Sequence, residues 1–329
     1  RDSRRRIAGM VHQDFLRRDK DRRRPAVLRH VERSVRQHEL LQVQRVRQQP
    51  QSLVGPFRSR DLGIGELGRE ALFQKRAHLV ARVRELAGVE LSRADIASLQ
   101  KPLVAAVALK MIDLKVLGLT DKVGWRLEAT GKGWDTVRLH HLLTNSMKLG
   151  ITERLSDMEP EKMRSVILSA DVVRLGDGFH YHNSTSMALG WFLEKALSTP
   201  LEKILQTEVI KPSGMKNTFW HSEIPANRMD DVVPSENCPN RGLLKGVPQD
   251  EIAWMHAKSG RNAACSGIFS TASDLVRFGE YLIGDAFEQP EAMHGMMLRN
   301  YLKPFDATFG LGFDVPRTAY LGDRYAENT

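Results

Sequence analysis

The residues best suited to chemistry are Ser98 and Lys101, which lie three positions apart in the mainly apolar stretch 94–119. On a helix this spacing places both side chains on one face, so the lysine amine can reach the serine hydroxyl. A serine hydroxyl becomes nucleophilic when a base takes its proton, and a lysine serves as that base when it is shielded from water. The stretch therefore predicts a buried helix that starts with a nucleophile and a base and ends at Gly118.

The Ser-x-x-Lys pattern is short, and about one chance match is expected in a chain of this length. A second match, Ser213 to Lys216, follows Pro212 and contains Gly214, which indicates a turn. Ser98 could also be a simple cap at the start of a helix. The pattern alone leaves both interpretations open, and the surrounding sequence has to decide.

Length and composition limit the number of domains and the possible locations of the protein. A chain of 329 residues with 41% hydrophobic residues can form one large domain or two small ones with a sizeable core. It has no apolar run long enough for a transmembrane segment, and its start does not resemble a signal peptide. A periplasmic and a cytoplasmic location both stay open. Cys238 and Cys265 are far apart, so we expect free thiols rather than a disulfide or a zinc site.

The net charge of +9 is concentrated at one end, because residues 1–50 contain 14 Arg and one Lys against six acidic residues. A basic arm can bind nucleic acid or an anionic membrane through phosphates. Its arginine clusters contain no aromatic side chains for base stacking, which favours a solvated or weakly helical extension instead. We therefore predict a basic N-terminal extension over residues 1–93 and do not expect a nucleic-acid partner.

Helical patterns dominate from residue 94 onward. Pro and Gly interrupt residues 219–257, which predicts a loop-rich segment, and Thr271 or Ser273 offers a cap for the helix that follows. Gly310 to Phe313 has the character of the start of a strand. After the stretch that contains Ser98, the predicted helices begin near residue 136 and cover 159–168, 184–197, 201–210 and 274–282.

Five sequence blocks together resemble the serine β-lactamase superfamily, and specifically its class C-like branch of β-lactamase-related hydrolases, penicillin-binding carboxypeptidases and esterases. The resemblance covers roughly residues 94–326. It implies an α/β (α+β) fold of the β-lactamase/transpeptidase type over residues 94–329, with a helical lobe packed on an antiparallel sheet. The blocks are 96–103, 139–144, 179–183, 210–218 and 267–275, and the segments 233–236, 241–247 and 250–251 are similar to one subgroup of these hydrolases.

The resemblance also implies roles for single residues. Ser98 would be the acylated nucleophile and Lys101 its general base or proton relay. Tyr181 would move a proton between Ser98 and the leaving group, since a phenol near an ammonium ionises more easily. Asn183 would hold Lys101 and a substrate amide through its two amide functions. Without the other blocks, Tyr181 and Asn183 would indicate only a capping turn before a helix.

The sequence departs from the family pattern in two places. The family has a Lys or His, a small residue and Gly on a late strand that follows the position of Gly310 to Phe313, and no such triplet is found between Phe313 and Thr329. That strand supplies one of two backbone donors to the oxyanion hole, and one donor is worth about 3 kcal/mol of transition-state stabilisation. Residues 260–266 also replace a turn rich in Gly and His. We expect a truncated or altered member whose sheet is incomplete.

No cofactor or metal is expected. His140, His141, His180 and His182 lack the acidic partners and helical spacing of metal ligands, and phosphate-binding loops are missing. The favoured hypothesis is a serine hydrolase acting on a small-molecule or peptidoglycan-type substrate, such as a β-lactam, a D-Ala peptide or a small ester. The alternatives are a non-catalytic β-lactamase-like binding protein or inactive member, and a nucleic-acid-associated protein. The substrate and the oligomeric state stay open.

Overall fold

The computed structural model describes residues 92–315, apart from residues 306 and 308. The predicted N-terminal extension therefore lies outside the described residues, except for its last two positions. The second of these, Arg93, is fully buried and pairs with Asp231 at 3.0 Å. Within the described range, the helices are too short or too polar to cross a membrane.

Helices make up most of this range, and the strands are short. The α-helices are α1 Gln100–Asp113, α2 Val123–Leu127, α3 Leu139–Leu143, α4 Pro160–Ser169, α5 Asn183–Leu197, α6 Leu201–Leu205, α7 Glu251–Lys258, α8 Ala272–Ile283 and α9 Pro290–Met297. The strands are β1 Ala94–Asp95, β2 Met147–Leu149, β3 Val172–Leu175, β4 Phe219–Trp220, β5 Asn237–Cys238, β6 Gly242–Leu243 and β7 Ile268–Ser270. A π-helical segment, Gln206–Ile210, continues α6.

The sheet that positions the N-terminal end of α1 has β7 at its centre. Strands β1 and β4 pair with it on either side, both antiparallel, with Ala94 opposite Ser270 and Phe219 opposite Phe269. All three residues of β7 are buried. Strand β1 passes through the 3₁₀ turn Ala97–Leu99 directly into α1, so the sheet fixes where that helix begins.

Helix α1 is the centre of the core. Its residues from Leu103 to Leu109 are each at most 1% exposed, and only a helix surrounded by other elements is apolar on all sides in this way. The predicted helix over 94–119 was too long at both ends. It starts after β1 and the 3₁₀ turn, and it ends at Asp113 because Val116 and Leu117 both donate their N–H groups to the Met111 carbonyl. Gly118 does not end it.

The structure confirms several of the predicted helices and corrects others. Helices α4, α5 and α8 lie where the pattern placed them, and the Thr271 hydroxyl caps α8 by accepting the Asp274 N–H at 3.2 Å. The helix expected from residue 136 is limited to α3, because Asn145 adopts a left-handed φ of 50° and the chain then enters β2. All of helix α7 except its last residue lies within the segment predicted to be loop-rich.

The segment from Gly310 to Phe313 is a bend and does not start a strand. Phe309 and Asp314 form an isolated antiparallel bridge on either side of it. The Gly312 N–H donates to the Leu143 carbonyl at 2.7 Å, so the bend is attached to α3 instead of to the sheet. The prediction that C-terminal strands are missing concerns residues outside the described range.

His141 stabilises the start of α3. Its Nδ1 accepts the Arg138 N–H at 3.0 Å, and its ring centroid lies 3.9 Å from that of His140. Partial burial and the neighbouring charges of His140 and Arg138 lower the pKa of His141 to about 4. Protonation at Nδ1 would remove the acceptor, so this contact requires the neutral ring.

We predict that acid weakens the fold through His141. The unfolded chain takes up a proton near the ordinary histidine pKa of 6.5, whereas the folded chain does so only near 4. The free energy of unfolding should therefore fall as the pH drops through that interval, and should not change above it on account of this residue. Urea unfolding at pH 7, 6, 5 and 4 measures the effect. His141→Asn, which keeps an acceptor and cannot titrate, should show a smaller fall; an equal fall in both proteins would contradict the assignment.

Candidate active site

The turn between β1 and α1 brings Ser98 to the protein surface. Ala97, directly before it, has a φ of +45°, a left-handed conformation that non-glycine residues adopt at an energetic cost. Asp95 holds this turn: its Oδ1 accepts the Ala97 N–H at 2.8 Å, and its Oδ2 accepts the Gln249 N–H at 2.7 Å. Burial raises the pKa of Asp95 despite these two hydrogen bonds. The turn aims the exposed Ser98 side chain away from the core.

The Lys101 amine lies against the Ser98 hydroxyl. Its Nζ is 2.8 Å from Ser98 Oγ and 3.2 Å from the carbonyl oxygen of Cys265, and it donates to both. The expected proximity of amine and hydroxyl is present. The expected shelter from water is smaller than predicted, because Ser98 is exposed and Lys101 is half-buried, although Gln100 between them is fully buried.

Tyr181 reaches the same hydroxyl from the loop before α5. Its phenol oxygen lies 2.8 Å from Ser98 Oγ, and Lys101 Nζ lies 5.1 Å from the centre of its ring. The Ser98 oxygen therefore has an amine and a phenol within hydrogen-bond distance at the same time. Such an arrangement can pass a proton from the serine to a second oxygen or nitrogen bound at this position.

Asn183 does not make the contact with Lys101 that the sequence suggested. It is the first residue of α5, and its Nδ2 donates to Asp250 Oδ2 at 2.9 Å. The other carboxylate oxygen of Asp250 accepts the N–H groups of Ile252 and Ala253, both at 3.0 Å, and so caps α7. Asn183 is thereby attached to α7.

Two groups that position the site were missed from the sequence. The Asp250 carboxylate orients Asn183, and an acidic residue just before a helix is a recognisable capping signal that could have identified it. The Cys265 carbonyl holds Lys101, and no side-chain type predicts a backbone acceptor.

The Cys265 thiol is fully buried 3.8 Å from Asp250 Oδ1, and burial raises its pKa. A thiol in this state is not a nucleophile.

The four histidines considered as metal ligands are engaged by protein groups. His141 and His182 accept N–H groups at the starts of α3 and α5. His180 pairs with Asp177 at 2.9 Å, and His140 contacts the Leu119 carbonyl at 3.1 Å. Within residues 92–315, His, Cys, Asp and Glu side chains do not form a cluster that could hold a metal ion.

A cavity of about 440 Å³ opens beside Ser98. It is bounded by the start of α1, by α3, by α5 and by the bend at 309–314. The residues that line it are Ile96, Ala97, Ser98, Leu99, Lys101, Pro102, Ala105, Leu142, Leu143, Asn145, Tyr181, Ser186, Leu189, Phe309, Gly312, Phe313 and Asp314. Ser98, Lys101 and Tyr181 are among these lining residues, so a molecule bound in the cavity can contact all three.

Comparison with known proteins gives one family match and a set of partial relatives. A protein-family profile described as Beta-lactamase matches residues 89–324. A putative D-alanyl-D-alanine carboxypeptidase of Salmonella typhi is 26% identical over 157 residues, which are 43% of this chain and 36% of that protein. The chain thus spans little more than a third of the length of this curated relative.

Two solved structures share the fold. EstCE1, described as a hydrolase with promiscuous acyltransferase activity, has a TM-score of 0.53 at 19% identity, covering 70% of this chain and 71% of its own. A penicillin-binding protein from Bacillus halodurans has a TM-score of 0.52 at 17% identity, covering 68% and 70%. At these identities the likeness concerns the fold alone, and it confirms the predicted β-lactamase/transpeptidase type.

We predict that Asp250 can be tested separately as a helix cap and as the partner of Asn183. Asp250→Ala should lower the free energy of unfolding by about 1 kcal/mol, because α7 loses its cap. Asp250→Asn should change stability by only a few tenths of a kcal/mol, since Asn caps as well as Asp. Its amide would face the Asn183 amide, however, and would turn that side chain over. Because Asn183 neither contacts Lys101 nor lines the cavity, Asp250→Asn should leave labelling by a fluorophosphonate probe at the wild-type rate; slower labelling at unchanged stability would show that the orientation of Asn183 affects the site.

Proposed function

Because the chain belongs to the beta-lactamase family, a family of serine hydrolases, we propose that it is itself a serine hydrolase that transfers the acyl group of an amide or ester to Ser98. The family match confirms the resemblance found in the sequence. The single observation that carries the proposal is that Lys101 Nζ and Tyr181 OH both lie 2.8 Å from Ser98 Oγ.

The proposed first half of the reaction forms an acyl-enzyme. Ser98 Oγ attacks the substrate carbonyl carbon and gives up its proton to Lys101 or Tyr181, both of which are within hydrogen-bond distance. The bond between the carbonyl carbon and the leaving group then breaks. The leaving group takes the proton, and Tyr181, at the exposed side of Ser98, is placed to deliver it.

In the second half, water attacks the acyl carbon. One proton of that water returns to Ser98 Oγ, the acid product leaves, and the starting state is restored. The same two partners serve this step, because a group that accepts a proton in the first half can donate it in the second. A β-lactam, a D-Ala peptide and a small ester all fit this scheme, since they share the attacked carbonyl.

A non-catalytic binding protein is the second candidate, and one observation favours it. Asn183, assigned to hold Lys101 and the substrate, is bound to Asp250 instead. A protein whose substrate-holding residue is engaged elsewhere could still bind a ligand in the cavity without turning it over.

The assignment of residues 94–329 to the hydrolase domain and of residues 1–93 to an extension also stays a proposal.

We predict that a fluorophosphonate probe labels the protein at Ser98. Ser98→Ala should abolish labelling, and Tyr181→Phe and Lys101→Met should each slow it by a factor on the order of 100 to 10,000, the usual contribution of a general acid or base. Gel fluorescence and the mass of the labelled peptide provide the measurement.

The chain contains its own matched control. Ser213 belongs to the second Ser-x-x-Lys match, but its hydroxyl donates to the Val209 carbonyl at 2.7 Å within a helical turn. Ser213→Ala should therefore label like the wild type. Folded protein that is not labelled, or labelling that persists in Ser98→Ala, would overturn the hydrolase proposal. Saturable ligand binding that survives Ser98→Ala in unlabelled protein would support the binding protein.

A further inference from the structure

The walls of the cavity beside Ser98 are mainly hydrocarbon. The lining includes leucines from α3 and α5, residues at the start of α1, and aromatic side chains of the bend at 309–314. The apolar lining residues are Ile96, Leu99, Pro102, Ala105, Leu142, Leu143, Leu189, Phe309 and Phe313. Most of these are buried in the fold, so the cavity keeps its shape without a ligand.

The cavity extends away from the nucleophile along α1. Ser98 and Ala105 both line it, and at 1.5 Å per residue the seven positions between them correspond to roughly 10 Å. Two small residues, Ala105 and Gly312, close the cavity at the end away from Ser98. They are packed so closely that a Cβ atom added at Gly312 would lie 2.2 Å from the Cβ of Ala105. A slender chain attached at Ser98 therefore has a defined path and a defined end.

The charges at the cavity disfavour an anionic guest. Among its lining residues, Lys101 is the cation, and its amine already contacts Ser98 Oγ and the Cys265 carbonyl. Asp314, an exposed acid, lies at the rim. A carboxylate carried into this space would lose its hydration and would meet a like charge at the opening.

We infer that this cavity holds the acyl part of the substrate, and that the substrate class is uncharged esters or amides of hydrocarbon acids. The inference rests on the proposed acylation of Ser98 and adds to it which acyl group is accepted. The polar lining groups of Asn145 and Ser186 lie among apolar neighbours and bear no charge. A substrate bearing a carboxylate on the acyl chain would enter poorly.

The wild-type protein tests the inference directly with p-nitrophenyl esters. From acetate to butyrate to hexanoate, kcat/KM should rise by about fourfold per added methylene, the usual gain for burying that group, and should level off when the chain reaches Ala105. The monoester of succinate should react at least tenfold more slowly than the butyrate ester, which has the same carbon number without the charge.

Two variants locate the effect in the cavity. Ser186→Leu, which adds bulk to the wall formed by α5, should shift the highest kcat/KM to esters with shorter acyl chains. Asp314→Asn should reduce the difference in kcat/KM between the succinate and butyrate esters. Asp285→Asn changes an exposed acid that does not line the cavity and should leave that gap unchanged. Urea unfolding checks that each variant is folded.

The outcomes separate this inference from the proposed function. Fluorophosphonate labelling of Ser98 together with a flat chain-length profile, or with a preference for the succinate ester, would overturn the acyl-chain assignment and leave the hydrolase intact. Absence of both labelling and ester turnover in folded protein would overturn both. If kcat/KM depends on acyl-chain length in the same way in the wild type and in Ser186→Leu, the acyl chain binds elsewhere.

Discussion

The hydrogen bond between Lys101 Nζ and Ser98 Oγ is the interaction on which the candidate site depends, and the rest of the fold keeps its two ends in place. Burial of α1 from Leu103 onward fixes the helix, and β1 fixes the chain before it. The left-handed Ala97 between them turns the serine outward. The buried core thus supports the amine and hydroxyl pair at its edge, where Ser98 is exposed to solvent.

Much of this could be predicted from the sequence, because the informative signals are local. The spacing of Ser98 and Lys101 gives their proximity on successive helical turns, and the long helices follow from apolar periodicity and from caps such as Thr271. The family blocks also identified Tyr181, which lies far away in the chain. The limits of α1 could not be read in the same way, since a continuous apolar stretch has no periodic signal to show where a strand and a turn replace the helix.

The contacts that could not be predicted from the sequence involve backbone groups, which every residue has, or depend on tertiary packing. Any residue could supply the carbonyl that Cys265 offers to Lys101, so its identity carries no information. The orientation of Asn183 depends on whether Lys101 or Asp250 is closer in the folded protein, which only tertiary packing decides. The exposure of Ser98 follows from the turn at Ala97, and an alanine in a left-handed conformation has no sequence signature.

The pairing of β1 with β7 has a consequence for the order in which the molecule forms. Ala94 pairs with Ser270, and the carbonyl that holds Lys101 belongs to Cys265, so contacts between distant parts of the chain must close before the serine has its surroundings. During synthesis on the ribosome, β1 and α1 leave the exit tunnel long before β7, the strand that pairs with β1. Ser98 and Lys101 therefore acquire their surroundings late in folding, and an incomplete nascent chain carries them without the carbonyl that holds Lys101.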